Sequence, residues 1–445
     1  MDKRITEAVD FALTTGLIKY NTEFKLTHAP FCLSPFPLKD KLNDYLVNST
    51  PVFNELMVKV GADKDFIKHY LEPVAATDDF ISRLLTIYSE TELSHHLQLS
   101  RNDFLIAADG ETGELHPKQV EFNTISNSFL FLTQRMYKLH QHMSHFVPCG
   151  GTLAENNTLD EAVAAMAEVV QYYGKSDTCI LMVVQDREQN LFDQRGLEYS
   201  LWEKFGIPTV RLSLEQIAEQ GVLKEGHLVV GGKIVALVYF RAGYTPNDYQ
   251  SRAAWEGRIL VENSSAVKCP SVGMQLAGAK KIQQILAKPG LLERYLTIDQ
   301  TDSLKSTFVG MYDLNEKVNG DKARDLAKAA PHKYVLKPQR EGGGNNLYDD
   351  EMVTEINKMS EEKQKAYVLM ERIFTPRESS VLVVDKMAEE TQTVSEVGRY
   401  GACFHDGQAI RFNKDIGYLV RTKSSDQNEG GVCAGYACLN SLCVG

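Results

Sequence analysis

The chain has 445 residues, of which 43% are apolar and 24% charged, and carries a formal net charge of −11. That length suits two or three domains of ordinary globular composition. The acidic balance argues against nucleic acid or an anionic membrane as the main partner, and no apolar run reaches the roughly 18 residues that cross a bilayer. The opening Met-Asp-Lys-Arg-Ile-Thr lacks the apolar segment of a secretory signal. Eight cysteines are scattered without a C-x-x-C pair or zinc spacing, which suits a reducing, cytoplasmic setting. A secreted form whose leader has been removed would read the same.

The first hundred residues read mostly as helices. Asp103 to Ala107 and Leu115 to Phe122 flank Ala-Asp-Gly-Glu-Thr-Gly as a hairpin. Thr158 with Glu161 reads as a capping box, and Gly174 closes the helix that follows. Cys179 to Val184 is a buried strand. The polar run Asp186 to Arg195 reads as a helix with a solvated face. Ser213 with Gln216 opens another helix, ended by Gly221. Leu228 to Val230 and Ile234 to Tyr239 flank Gly-Gly-Lys as a second hairpin. Strands alternating with helices from about 158 to 283 predict an α/β unit with a parallel core. Strands follow at Tyr334 to Leu336, Tyr367 to Met370 and Ser380 to Val384, and the last sixty residues are strand-rich around an Asp406-Gly407 turn.

The strand at Tyr334 leads into Lys337-Pro-Gln-Arg-Glu-Gly-Gly-Gly-Asn-Asn-Leu-Tyr348. Gly342, Gly343 and Gly344 let a backbone approach a polyanion and present N–H groups to it. Lys337 and Arg340 supply cations for phosphate, and Glu341 a carboxylate for a hard cation. Neither the Walker pattern nor G-x-G-x-x-G occurs, so this is a different kind of Mg-nucleotide loop; the plain alternative is a surface turn. Glu121 and Asn123 stand two apart and share one face of a strand, where their oxygens suit Mg²⁺; alone they read more readily as a solvated face, and the glycine loop tips the balance to the metal. Ser126 and Ser128 continue the alternation as hydroxyls for a small polar substrate. Arg101 opens the same hairpin. Arg241 and Tyr244 end an apolar strand, the place where α/β sheets bind ligands, and Arg241 has the fork that holds a carboxylate. Near the end, Arg421-Thr-Lys423 precedes a second glycine-rich loop, Asn-Glu-Gly-Gly-Val-Cys-Ala-Gly, either a closing hinge or a turn.

Taken together, Glu121-Phe-Asn-Thr-Ile-Ser126, Asn190-Leu-Phe-Asp-Gln-Arg195, Gln275-Leu-Ala-Gly-Ala-Lys-Lys281, the Lys337 to Tyr348 stretch and Leu419-Val-Arg-Thr-Lys423 resemble the eukaryotic-type glutathione synthetases, ATP-grasp ligases, over nearly the whole chain. The resemblance implies a mixed α/β fold with an ATP-grasp core, a lid and an inserted substrate domain. It divides the chain at 1–177, 178–283 and 284–445, in a homodimer. It implies that ATP phosphorylates the cysteinyl carboxylate of γ-glutamylcysteine and that glycine attacks the acyl phosphate, releasing ADP and phosphate. Magnesium ions would be held by Glu121, Asn123 and Glu341. The nucleotide would be lined by Glu121, Lys280, Lys337, Gly342, Gly343, Gly344, Asn346, Tyr348, Met370, Ile373, Glu396, Lys423 and Glu429. γ-Glutamylcysteine would meet Arg101, Ser126, Ser128, Glu188, Asn190, Gln194, Arg241, Tyr244 and Arg421. Arg101 and Arg421, with Glu121 and Glu341, would carry the catalytic charge stabilisation. The loop from Glu429 to Gly435, with Val432 and Cys433, would close over the acceptor. Two departures from the family pattern, Cys433 and Leu130-Phe131, bear on the acceptor. Two other readings stand beside this one: the same chemistry with another acceptor amine, and a diverged paralogue that binds nucleotide or peptide without turnover.

Overall fold

Residues 2–92, 95–110, 112–340, 344–428, 431, 432, 435 and 437–445 are described by the structure, a computed structural model. Its organising element is the strand His96–Ala108, buried on both faces along its first nine residues. Such a strand must have neighbours on either edge, because each buried N–H and C=O needs a partner. It pairs antiparallel with Leu115–Asn123 and with Met387–His405, and touches Val267–Cys269 in parallel at Lys268 and His96. Met387–His405 turns at Gly407 (φ +86°) into Ile410–Ser424. Beyond Val267–Cys269 the parallel strands Lys233–Phe240, Thr178–Val183 and Thr209–Leu212 continue the array. The whole forms a 13-stranded mixed sheet among the described residues.

A smaller four-stranded antiparallel sheet runs in the order Met311–Tyr312, Tyr367–Glu371, Tyr334–Pro338, Leu347–Tyr348. It has a core of its own, in which Leu314, Leu336, Met352, Ile356 and Leu369 pack together away from the two larger clusters. Apolar burial at about 25 cal/mol per Å² makes such a cluster a semi-independent body.

The mixed α/β class and the parallel core between 158 and 283 are as the sequence predicts. So are both hairpins: Gly231 (φ +56°) and Gly232 (φ +83°) take the left-handed pair that a tight turn requires. Ser213 and Gln216 form the expected capping box, and Gly174 ends its helix at φ +71°. Two expectations fail. Thr158 is not a cap: the helix Thr158–Tyr173 begins at that residue, whose hydroxyl turns to Asn156 Oδ1. The first N–H groups are taken instead by Gln134 Oε1 from a neighbouring helix, at 2.9 Å to Leu159 and 3.2 Å to Asp160. A tertiary acceptor has displaced the local one. The run 186–195 also differs. Helix starts only at Leu191, and its polar Asp193 and Gln194 are buried rather than solvated. Among the described residues no helix is long and apolar enough to cross a membrane.

Candidate active site

A cleft of about 760 Å³ lies between the large sheet and the small one. Its floor is a buried charge network. Strand alternation puts Arg101 and Asp103 on one face, and Asp103 takes the Arg101 fork in both oxygens, at 2.7 and 2.8 Å. Arg421 Nη2 donates to Asp103 Oδ2 at 3.0 Å and to Glu396, its cross-strand partner. Burial works against both guanidinium charges, yet the carboxylates outweigh it and hold both above their ordinary pKa. Glu396 goes the other way: burial, against the pull of Arg421, raises it.

Glu121 stands beside this network, 3.0 Å from Lys280 Nζ. Burial would raise its pKa, but Lys280 and then Lys337 hold it well below the usual carboxylate range. Lys337 comes from the small sheet and donates to Val120 O at 3.1 Å. Asn123 Nδ2 donates to Asp103 Oδ2 at 2.9 Å. Above them Val335, Tyr348, Met370 and Ile373 make an apolar wall, with Val335 and Met370 paired across the small sheet. A planar base fits such a slot. Asn346 and Lys423 line the same side, Lys423 donating to Asn428 O at 2.6 Å.

The opposite end is built on a strained loop. Ser126 (φ +55°) and Phe129 (φ +78°) both hold left-handed backbone that favours glycine. The surroundings fix it. Arg241 Nη2 donates to Ser128 Oγ at 2.7 Å and Nη1 to Ser126 O, and Tyr400 donates to Ser128 O. From behind, Asp193 accepts from the N–H groups of Phe129, Phe131 and Leu132. Glu188 accepts from Asn190 N at 2.9 Å and Gln194 Nε2 at 2.8 Å. Asn190 Oδ1 and Arg421 Nε are buried without a hydrogen-bond partner among the described residues, which is what groups waiting for a polar ligand look like.

The structure thus gathers Arg101, Glu121, Asn123, Ser126, Ser128, Glu188, Asn190, Arg241, Tyr244, Lys280, Lys337, Asn346, Tyr348, Met370, Ile373, Glu396, Arg421, Lys423 and Val432 on one cleft. Gly344 (φ +71°) and Gln194 do not line it; Gln194 stands behind Glu188 and accepts from Arg211 at 2.7 Å. Glu341, Gly342, Gly343, Glu429 and Cys433 lie outside the described residues. Among the described residues no three His, Cys, Asp or Glu side chains cluster as a metal site. Leu130 and Phe131 do not face the cleft. Leu130 is core, and Phe131 packs on Gly196, under Arg135 at 4.7 Å. Sequence reasoning missed Asp103 and Asp193. The signals were present: Asp103 follows Arg101 by one strand period, and Asp193 sits inside Asn190-Leu-Phe-Asp-Gln-Arg195.

Two sheets facing each other across a cation-rich, half-apolar cleft define a mixed α/β protein of the glutathione synthetase-like fold, and sequence and structure comparisons agree. Residues 1–444 match the family model of the eukaryotic glutathione synthase ATP-binding domain. The chain is 38% identical over 435 residues to the chloroplastic glutathione synthetase of Solanum lycopersicum, covering 94% of this chain and 78% of that one. It is 35% identical over 461 residues to the glutathione synthetase of Homo sapiens, covering 99% and 96%. The solved structure of a glutathione synthetase-like effector (GSS30) from Globodera pallida in apo form superposes with a TM-score of 0.80 at 17% identity, covering 100% of this chain and 96% of that one; at that identity the likeness concerns the fold alone. The chain belongs to the eukaryotic glutathione synthase family.

Proposed function

We infer that the protein joins γ-glutamylcysteine to glycine at the expense of ATP, releasing ADP and phosphate. The observation that carries this reading is the cleft itself, where two guanidinium groups from the large sheet, the Lys280 ammonium from the helix Lys280–Leu286 and the Lys337 ammonium from the small sheet converge beside an apolar slot. Phosphoryl transfer needs positioning and charge neutralisation more than covalent help. In this reading the adenine lies against Met370, Ile373, Val335 and Tyr348, and Lys280, Lys337 and Lys423 face the phosphates. Arg241, Ser126, Ser128, Glu188, Asn190 and Tyr244 hold the γ-glutamyl end, where Asn190 Oδ1 has no hydrogen-bond partner among the described residues. Arg101 and Arg421 face the phosphoryl group as it passes to the cysteinyl carboxylate. Closure of the loop around Val432 and Cys433 keeps water from the acyl phosphate until the glycine amine attacks.

Mg²⁺ fits the oxygens present: Glu121 is held ionised, and the Asn123 nitrogen is committed to Asp103, which leaves the amide oxygen for a cation. Glu121 and Asn123 would hold the metal with Glu341, and bound metal would neutralise polyphosphate charge. The division at 1–177, 178–283 and 284–445, the homodimer and the cytoplasmic setting belong to the same reading; the seven described cysteines are free thiols, as a reducing compartment keeps them. The test is ADP release with γ-glutamylcysteine, Mg²⁺ and ATP, with and without glycine. A glycine-dependent rate supports the reading. Release equal to the no-acceptor control, while another small amine is used, defeats it in favour of a different acceptor; binding of ATP without turnover for any amine defeats it in favour of a binding protein.

A further inference from the structure

Asp103 is fully buried, and none of the nucleotide or peptide roles above uses it. It nevertheless touches three groups that those roles depend on. Both its oxygens take the Arg101 guanidinium, at 2.7 and 2.8 Å. Its Oδ2 also accepts from Arg421 Nη2 at 3.0 Å and from Asn123 Nδ2 at 2.9 Å. A carboxylate accepts and does not donate, so it dictates the sense of each partner. The two arginines must approach with N–H groups. The Asn123 amide must turn its nitrogen inward; that nitrogen is further engaged with Arg101 O at 3.5 Å, and the oxygen is the atom left for a cation.

A second observation points the same way. Gly398 faces Asp103 across the paired strands. A Cβ there would stand 2.5 Å from Asp103 Oδ1 and 2.9 Å from Arg101 Cδ. Gly398 has ordinary backbone, with no positive φ that would call for glycine. The missing side chain therefore serves the space that the Arg101–Asp103 pair occupies.

We propose that Asp103 is a positioning residue which couples the two halves of the reaction, orienting Arg101 and Arg421 toward the transferring phosphoryl group and fixing the Asn123 amide so that its oxygen faces the divalent cation. This rests on the ligase reading for the identity of the phosphoryl group, and on the hydrogen bonds alone for the cation. Removing the carboxylate frees the amide to flip and leaves two guanidinium groups under-compensated in a buried place. The adenine wall, on the other sheet, is untouched.

The experiment compares wild type, Asp103→Asn and Gly398→Ala. Gly398→Ala displaces the pair by contact and leaves every charge in place. For both variants kcat is expected to fall about 100-fold, a loss typical of misplaced transition-state groups, with KM for ATP within about threefold of wild type. Independently of turnover, calorimetric titration of Mg²⁺ into the ADP-loaded protein reads the Asn123 amide: the midpoint is expected to rise about tenfold, as when a group that orients a ligand is lost. Circular dichroism and melting curves show whether each variant folds, and if Asp103→Asn does not, Gly398→Ala carries the comparison. A drop in melting temperature with unchanged kcat and unchanged Mg²⁺ midpoint would make Asp103 merely structural and overturn the proposal. If wild type shows no glycine-dependent ADP release, the ligase reading fails, and the Mg²⁺ midpoints still decide the role of Asp103.

Discussion

The helix Leu130–Met143 starts without a cap of its own, and replacing Asp193 by alanine exposes what holds it. The residue just before it, Phe129, has φ +78° and offers no side-chain acceptor. Asp193, from another helix, accepts from Phe129 N at 2.7 Å, Phe131 N at 2.9 Å and Leu132 N at 3.2 Å. Hydrogen bonds to a charged group are worth about 1.5–3 kcal/mol each, but the sum overstates the loss. Burial pushes the Asp193 carboxyl above its ordinary pKa, against the pull of Arg241 and the three N–H groups, so the ionised form already carries a desolvation cost, and water can enter the truncated site. A net loss of about 3 kcal/mol is expected, because three charge-assisted bonds at the low end of that range are lost and relaxation of the strained Phe129 backbone offsets part of them. For a chain of this length unfolding as one unit, that lowers the melting temperature by about 3 °C. The functional consequence is larger than the thermal one. Ser126 and Ser128 lie in the same turn, so KM for γ-glutamylcysteine is expected to rise about tenfold, with KM for ATP unchanged within about twofold. Scanning fluorimetry and initial-rate kinetics on Asp193→Ala and Asp193→Asn measure both. An Asp193→Ala protein that melts within about 1 °C of wild type and keeps its peptide KM would refute the idea that this carboxylate holds the serine turn.

Three further predictions concern separate parts of the molecule. Gly196→Ala drives a Cβ into the Phe131 ring and is expected to cost about 1–3 kcal/mol as overpacking; in a Phe131→Ala background the same change should be nearly silent, and equal costs in both backgrounds would mean the ring is not the obstacle. Met370→Ala opens the apolar wall and should raise KM for ATP about tenfold, leaving the peptide KM alone; a change in both would place Met370 outside the adenine slot. Glu121 has a folded pKa below its ordinary 4.5 because Lys280 and Lys337 outweigh burial. The stability it adds is therefore present above about pH 4.5 and lost as the pH falls further, through the folded value. Melting curves of wild type and Glu121→Gln should keep a constant separation between about pH 7 and pH 5 and converge in acid; a separation that grows as the pH falls has the wrong sign for this ion pair.

Much of this architecture was legible from local pattern. Gly231-Gly232, Ser213 with Gln216, and Gly174 each act through residues within one turn of themselves, so their chemistry is written in adjacent letters. The cleft residues were legible because Glu121, Asn123, Lys337 and Arg421 sit in motifs whose residue types have few other uses together. What escaped was carried by distant partners. Thr158 looked like a cap, yet Gln134, far back in the chain, performs that task. Asp186 to Arg195 looked solvated because its polarity was visible, whereas the N–H groups that Asp193 satisfies belong to another helix. Asp103 was hidden for the same reason: its meaning lies in Arg421 and Asn123, which meet it only after four strands have paired. Leu130 and Phe131 looked like changes at the acceptor, and only tertiary packing shows otherwise: Leu130 is in the core and Phe131 lies against Gly196.

Lys337 belongs to the smaller sheet, while the carbonyl that holds it, Val120 O, belongs to the larger one. Any separation of the two bodies therefore withdraws a positive charge from the place where a spent nucleotide would lie. Departure of the leaving product and unhinging of the molecule become one event, and a viscous medium should slow turnover at its exit step even where the bond-making step is left alone.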